Sequence, residues 1–154
     1  NQLPFSQACE NNKSFILEIL REAFADRSQV LEIGSGTGQH AVYFAPEFPQ
    51  LQWQTSDRVQ HHAGVNAWLE AYPAPNLMSP LALDVSSDSW PAGAYDAVFS
   101  ANTAHIMHCP VVVAMLAGVG RLLQDLVDFT NGFRLFYFGN DRNFMLTMSF
   151  DQGL

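Results

Sequence analysis

Apolar and polar positions alternate along the chain with two different periods. Near the start, apolar residues recur every three or four positions, which is the spacing of one helix face; they are Ile16, Ile19, Leu20, Ala23 and Phe24. Asn12 or Ser14 is the expected cap of this helix, because short polar side chains bond the free N–H groups of a first turn. The pattern therefore predicts that the fold begins with a helix packed on a core.

Short apolar or alternating runs follow, and they predict strands. They lie at Gln29–Ile33, Leu51–Ser56, Pro80–Val85, Asp96–Ser100, Phe133–Phe138 and Asn143–Phe150. Segments with helical spacing lie between several of them, at Gln39–Phe44, Val59–Ala71 and Val111–Leu123. Strands that alternate with helices favour an α/β fold with a mostly parallel sheet. Such sheets bind ligands at the carboxyl ends of their strands, where we therefore look for chemistry.

The most informative segment is Val30–Gly38, with the sequence VLEIGSGTG. A buried strand runs into Gly34, Gly36 and Gly38, and the following helix start offers free N–H groups to a ligand. The dinucleotide-binding pattern G-x-G-x-x-G would need glycine where Gln39 stands. Glu32, just before the loop, suits a cationic or amine-bearing ligand better than a pyrophosphate.

Two further acids stand at predicted strand ends. Asp57 follows the second strand, and its carboxylate can accept hydrogen bonds from both ribose hydroxyls. Asp84 follows the third strand, where it can accept an adenine amine while Val85 packs on the ring. The alternative is that the glycines are simple turns and the acids are helix caps. Acids at the ends of three consecutive strands favour ligand binding.

Composition narrows the choice of partners and compartment. The 154 residues fit a single domain, and the net charge is −8 with only seven Lys and Arg residues and no basic cluster. We therefore expect neither nucleic acid nor a membrane as a partner. Cys9 and Cys109 form no disulfide framework, so we expect free thiols and a cytoplasmic protein. Neither lies at metal-ligand spacing, and we expect no metal site.

These motifs resemble those of class I S-adenosylmethionine-dependent methyltransferases. Glu32 and the three loop glycines match the first motif of that group, and Asp57 and Asp84 match its second- and third-strand acids. A closer resemblance is to the methyltransferase-like 26 family, through the stretches Phe5–Leu20, Val30–Phe44 and Phe99–Met107. This likeness covers about residues 4–123, whereas the tail over 124–154 departs from the family.

The resemblance implies a fold, a cofactor and a reaction. We expect residues 1–154 to form one Rossmann-like three-layer sandwich, truncated or altered at the C-terminal edge of its sheet. S-adenosylmethionine is the expected cofactor, held by the loop including Ser35 and by the acids at the strand ends. The expected reaction is methyl transfer to a small-molecule or protein acceptor.

The resemblance also implies roles for residues outside the glycine loop. The loop after the fourth strand faces the methyl group in this fold, so His105 is the candidate base and Asn102 the candidate group that orients the acceptor. The alternative for His105 is a helix-start residue bonded to backbone. Asn12 or Lys13 is expected near the methionine carboxylate, in a helix acting as a lid, or else in a capped surface helix. Gln39 and His40 are expected to touch the cofactor from the helix start.

Two rival functions remain open from the residues alone. One is a non-catalytic domain that binds the cofactor or a partner protein through the tail. The other is a nicotinamide oxidoreductase, which Gln39 disfavours. The tail is β-prone and aromatic over Phe133–Phe150, so we expect a homodimer paired through that edge. The alternative is a monomer in which the last two strands form an antiparallel hairpin.

Overall fold

The computed structural model describes residues 2–87, 89–101, 109–124, 133–140 and 143–150. Its helices are α1 (Gln7–Ala23), α2 (Gln39–Phe44), α3 (His62–Ala71) and α4 (Cys109–Gln124). Its strands are β1 (Gln29–Glu32), β2 (Gln52–Asp57), β3 (Leu77–Ala82), β4 (Ala97–Ala101), β5 (Phe133–Asn140) and β6 (Asn143–Phe150). Short 3₁₀ turns at Ala45–Glu47 and Val59–His61 complete the regular structure.

A single sheet carries the strands in the order β3-β2-β1-β4-β6-β5. The first four are parallel: β1 pairs with β2 and β4, and β2 pairs with β3. Their carboxyl ends therefore meet at one edge, where Glu32 pairs with Phe99 and Asp57 pairs with Ala82. This edge brings the glycine loop and both strand-end acids into one region, as the alternating pattern predicts.

The core lies on both faces of the sheet, because adjacent residues of each central strand point to opposite sides. On one face Leu20 of α1, Phe24 just after α1 and Phe44 of α2 pack with Trp53 and Phe99. On the other face Met115, Val119 and Leu123 of α4 pack with Leu31 and Val98. Helices on two faces of a mostly parallel sheet make the predicted three-layer α/β sandwich.

The third strand lies earlier than predicted. It covers Leu77–Ala82 and not Pro80–Val85, because Leu77 and Met78 already pair with Trp53 and Gln54 of β2. The pairing then jumps to Ser56 opposite Leu81, so β3 carries one extra residue in a bulge at Ser79–Pro80. β3 is the outer strand of the sheet, where a proline and a bulge are tolerated.

The cap of α1 was also wrongly predicted. The helix begins at Gln7, and the Oγ of Ser6 accepts a hydrogen bond from the backbone N–H of Cys9 at 3.4 Å. Neither Asn12 nor Ser14 caps it, because both lie inside the helix. The first turns carry few apolar residues, so the apolar pattern marks only the later part of α1.

The C-terminal strands form the hairpin that was the alternative to a dimer. β5 and β6 are antiparallel, with Phe133 opposite Phe150 and Asn140 opposite Asn143. β6 also pairs antiparallel with β4, so β5 is the outer strand of the sheet. Among the described residues, no helix is long and apolar enough to cross a bilayer.

Candidate functional site

The glycine loop between β1 and α2 adopts a conformation that requires glycine. Gly34, Gly36 and Gly38 have φ angles of 69°, 61° and 92°, a left-handed region that other residues rarely adopt. A Cβ built on Gly36 meets nothing nearer than the Gly34 carbonyl oxygen, at 4.0 Å. A Cβ on Gly38 lies 3.3 Å from the backbone of Val65 in α3. Gly36 therefore borders open space, whereas Gly38 allows α3 to pack closely.

Glu32 supports this loop from behind. Its Oε2 accepts hydrogen bonds from the Ser35 Oγ at 3.0 Å and the Trp53 Nε1 at 3.1 Å. The side chain is only 2% exposed, and burial raises its pKa to about 7 against the opposite effect of these two bonds. The sequence motif predicts that Glu32 lies beside the ligand. In the structure its carboxylate lies in the core, under the loop.

Ser35 joins the loop to β2. Its backbone N–H donates to the Ser56 carbonyl at 2.9 Å, and its Oγ accepts from the Ser56 N–H at 3.1 Å. The Ser56 Oγ in turn donates to the Glu32 carbonyl oxygen. These bonds fix the loop against two strands, so its backbone is held in place before any ligand arrives.

Asp57 ends β2 with its carboxylate turned to the loop. Its Oδ2 accepts from the backbone N–H of Gly36 at 2.8 Å. Its Oδ1 accepts from the Arg58 N–H at 2.7 Å and from Nδ1 of His61 at 2.7 Å, where the imidazole must be the donor because a carboxylate only accepts. The predicted strand-end position is correct, and His61 is a partner that the motif did not indicate.

Asp84 lies two residues beyond the end of β3. Its Oδ1 accepts hydrogen bonds from the backbone N–H and the Oγ of Ser86, which lower the pKa of the Asp84 carboxyl. Val85 is buried beside it. Asp84 therefore stands near the same edge as Asp57, but on the loop after β3 and exposed to solvent.

The start of α1 is fastened to the start of α2 through Gln39. The Gln39 Oε1 accepts from the Ser6 N–H at 2.6 Å and from the Thr37 Oγ1 at 2.9 Å. Its Nε2 donates to the Glu10 carboxylate at 2.9 Å, and Lys13 pairs with the same carboxylate at 2.6 Å. These hydrogen bonds lower the pKa of Glu10. Gln39 and Lys13 thus serve the contact between helices, and neither lines the cavity described below.

Asn12 and His40 form a second buried contact between the same helices. Nε2 of His40 lies 2.8 Å from the Asn12 Oδ1, and its Nδ1 lies 3.9 Å from the Cys9 Sγ. The imidazole stacks on Phe44 and contacts Phe99 edge-on. Burial lowers the pKa of His40 to about 4 and raises the pKa of the Cys9 thiol. Asn12 is buried on the inner side of α1, whose other faces are exposed, and it does not line the cavity described below.

A cavity of about 630 Å³ opens at this edge of the sheet, within the usual size of a small-molecule site. The predicted residues Gly34, Ser35, Gly36, His40, Asp57, Asp84 and Val85 line it. Pattern reasoning missed the other lining residues, which are Ser6, Cys9, Ile33, Thr37, Arg58, His61, Leu83, Ser86, Ala101 and Val111. His61 is the one of these residues that the sequence could have indicated, because a histidine four residues after Asp57 is close enough along the chain to bond its carboxylate.

Two predicted residues cannot be placed. Asn102 and His105 lie outside the described residues, which resume at Cys109 after Ala101. In the described part of the chain no group of three His, Cys, Asp or Glu residues is arranged to hold a metal ion.

A family match decides the relationship of the chain. The family described as "Protein of unknown function (DUF938)" matches residues 3–132. The chain belongs to this family. Its matched region contains the whole cavity described above and ends before β5, so the terminal hairpin of this DUF938 member lies beyond it.

Solved structures similar to the DUF938 chain share its fold. A protein from Methanococcus maripaludis, assigned to the S-adenosyl-L-methionine-dependent methyltransferases, has a TM-score of 0.61 at 12% identity, over 96% of this chain and 90% of that one. The S-adenosylmethionine-dependent methyltransferase SibL, in its apo form, has a TM-score of 0.56 at 14% identity, over 92% of this chain. An O-methyltransferase family protein from Burkholderia thailandensis has a TM-score of 0.55 at 11% identity.

The chain spans little more than half the length of two of these structures, 55% of SibL and 57% of the Burkholderia protein. At these identities the likeness concerns the fold. The DUF938 chain therefore has the Rossmann-like α/β fold of class I methyltransferases, with four parallel strands in the order 3-2-1-4.

Proposed function

We propose that the chain binds S-adenosylmethionine in the 630 Å³ cavity and transfers its methyl group to a small-molecule or protein acceptor. One observation carries this proposal. The open Cα of Gly36 and the Asp57 carboxylate line the same cavity as other residues of the glycine loop. A nucleoside with two ribose hydroxyls and an amine-bearing tail suits these groups, because it offers donors to carboxylates and needs no phosphate site.

The cavity has two chemically different ends. Asp57 ends β2 and Asp84 lies just beyond β3, and we assign the nucleoside to that side. His40 and Ala101 lie toward β4, where the His40 ring also contacts Phe99 of that strand. We assign the sulfonium and its methyl group to this side. Burial keeps the His40 imidazole neutral, since its pKa is lowered to about 4, so it places no positive charge near the sulfonium.

Asn102 and His105 keep their proposed roles at the acceptor. Methyl transfer is an in-line displacement that depends mainly on alignment, and a base is needed only when the nucleophile carries a proton. In this proposal Asn102 orients the acceptor and His105 takes that proton. Glu32, Asn12, Lys13 and Gln39 act behind the cavity by holding the loop and α1 in place. We further propose kinship with the methyltransferase-like 26 family, on the stretches given above.

Thermal unfolding with S-adenosylhomocysteine tests cofactor binding. A ligand at a hundred times its dissociation constant stabilises a protein by about 2.7 kcal/mol, so the melting temperature should rise in a saturable way. Methyl transfer is tested separately, by incubating the chain with methyl-labelled S-adenosylmethionine and fractions of small molecules or proteins. Binding without labelled product in any fraction would favour a non-catalytic cofactor-binding domain.

We propose that the chain pairs as a homodimer through the outer edge of β5, the last strand of the sheet. Outer strands present backbone N–H and C=O groups that can join a second chain. Light scattering at micromolar concentration should then give twice the 17.1 kDa mass. A monomer at that concentration would show that the β5–β6 hairpin suffices, and a Phe136→Lys variant that stays dimeric would place the interface elsewhere.

A further inference from the structure

The carboxylate of Asp57 is nearly saturated with hydrogen bonds before any ligand binds. A carboxylate offers about four acceptor positions, two on each oxygen. Arg58 and His61 occupy both positions on Oδ1, and Gly36 occupies one on Oδ2. Within the described part of the chain this leaves one position, on Oδ2.

A ribose diol needs two positions on this carboxylate when it binds in bidentate fashion. One of the three present donors must then leave. The Gly36 and Arg58 N–H groups belong to the backbone, and their departure would require the loop or the end of β2 to move. His61 is the donor that can leave most easily, because its side chain is 43% exposed and rotation would carry the ring into solvent.

We propose that His61 is a specificity-determining residue of this site. It occupies an acceptor position that the second ribose hydroxyl requires. A ligand with both hydroxyls displaces the imidazole from Oδ1, whereas a ligand with one hydroxyl binds at the open position on Oδ2 and leaves His61 in place. This inference rests on the proposed nucleoside site, and it adds that the free protein discriminates weakly between a diol and a single hydroxyl.

His62 provides a matched control in the same segment. Its Nε2 lies 2.9 Å from the backbone carbonyl oxygen of Asp57, to which it donates, and it does not contact the carboxylate. Removing the His62 imidazole therefore perturbs the same turn without opening an acceptor position on Asp57. Any effect specific to the diol should appear in the His61 variants alone.

Calorimetric titration tests the proposal with S-adenosylhomocysteine, adenosine, 2′-deoxyadenosine and 3′-deoxyadenosine. The proteins are the wild type, His61→Ala, His61→Leu, which keeps more side-chain volume, and His62→Ala. The His61 variants should bind the two diol ligands about three- to tenfold more tightly, the value of one hydrogen bond that no longer has to be broken. The deoxy ligands should change less than twofold, and His62→Ala should leave the ratio of adenosine to deoxyadenosine affinities unchanged.

The outcomes separate this inference from the proposed function. Weaker diol binding by both His61 variants, or an unchanged ratio of diol to deoxy affinities, would overturn the role of His61 even if S-adenosylhomocysteine binds the wild type. Failure of S-adenosylhomocysteine to bind while adenosine shows the His61 effect would support the role of His61 and reject the cofactor. No binding of any of the four ligands to any of the proteins would reject both.

Discussion

The backbone N–H of Gly36 donates to the Oδ2 of Asp57 across 2.8 Å, joining the loop after β1 to the end of β2. The bond holds the glycine loop and the proposed ribose acceptor at a fixed separation. The same carboxylate thus has two roles in this account, to shape the loop and to receive the ligand.

Substituting Asp57 should weaken cofactor binding more than it weakens the fold. For Asp57→Ala we expect the affinity for S-adenosylhomocysteine to fall by about 1.5–3 kcal/mol, the range for hydrogen bonds to a charged group. Glu47→Ala is the charge-matched control, since it removes a carboxylate from the exposed pair with Arg21 outside the cavity. Equal calorimetric affinities in wild type and Asp57→Ala would remove Asp57 from the ligand site.

Gly36 and Gly38 should respond differently to alanine. At Gly36 a Cβ would meet only the Gly34 carbonyl oxygen, at 4.0 Å, and Gly36 lines the cavity, so Gly36→Ala should lose cofactor affinity at a stability cost of about 1–2 kcal/mol from its positive φ. Gly36→Val should abolish binding. At Gly38, which also has a positive φ, the new Cβ would lie 3.3 Å from the Val65 backbone. We therefore expect Gly38→Ala to lose more stability than Gly36→Ala. Denaturant unfolding and calorimetry on both variants check this, and the reverse order of effects would contradict it.

Gly118 and Gly120 of α4 provide a packing test far from the ligand. A Cβ on Gly118 would overlap the Cζ2 of Trp90, so the indole must shift in Gly118→Ala, at a cost of about 1–3 kcal/mol of stability. A Cβ on Gly120 meets nothing within 4 Å, and alanine there should stabilise the helix by about 0.5–1 kcal/mol. Urea unfolding of the two variants measures the contrast. Similar stabilities would mean that Trp90 does not pack on Gly118.

Glu32 should make stability depend on pH. Its pKa is raised from 4.5 to about 7 by burial, so the folded state binds the proton more tightly than the unfolded chain. Its stabilising contribution is therefore complete below about pH 4.5 and is lost as the pH rises to 7, by up to about 3 kcal/mol. His40, whose pKa is lowered to about 4, acts with the opposite sign.

The difference between wild type and Glu32→Gln isolates the Glu32 contribution, because His40 is common to both proteins. We expect the unfolding free energy of wild type, relative to Glu32→Gln, to fall steadily between pH 4.5 and 7.5. Urea denaturation at several pH values measures it. A difference that stays constant, or that grows with pH, would show that the buried carboxyl does not titrate as its surroundings indicate.

The elements that the sequence located well are those governed by local signals. Gln39–Phe44 forms α2 as predicted, Asn143–Phe150 forms β6, and Asp57 ends β2. Each has a clear period or a glycine boundary. β3 was misplaced by three residues because the bulge at Ser79–Pro80 shifts its alternation, and the bulge is set by pairing with β2 and not by β3 alone.

The residues of the site likewise divide into those that a local motif predicts and those that depend on contacts between distant parts of the chain. The glycine loop and Asp57 follow from a contiguous motif, whereas Ser6 and Cys9 reach the cavity only because Gln39 and His40 bind α1 to α2. Glu32 was placed beside the ligand because the sequence does not reveal the direction of its side chain. The contact with Trp53 Nε1, twenty-one residues away, determines that direction.

Calorimetric titration of the wild-type chain with S-adenosylhomocysteine, with NAD as the competing cofactor class and Gly36→Ala as the variant, tests cofactor binding most directly. We predict saturable binding of S-adenosylhomocysteine by the wild type, binding at least tenfold weaker by Gly36→Ala, and no binding of NAD. Absence of S-adenosylhomocysteine binding to folded wild-type protein, or binding of NAD in its place, would contradict the assignment of this cavity to S-adenosylmethionine.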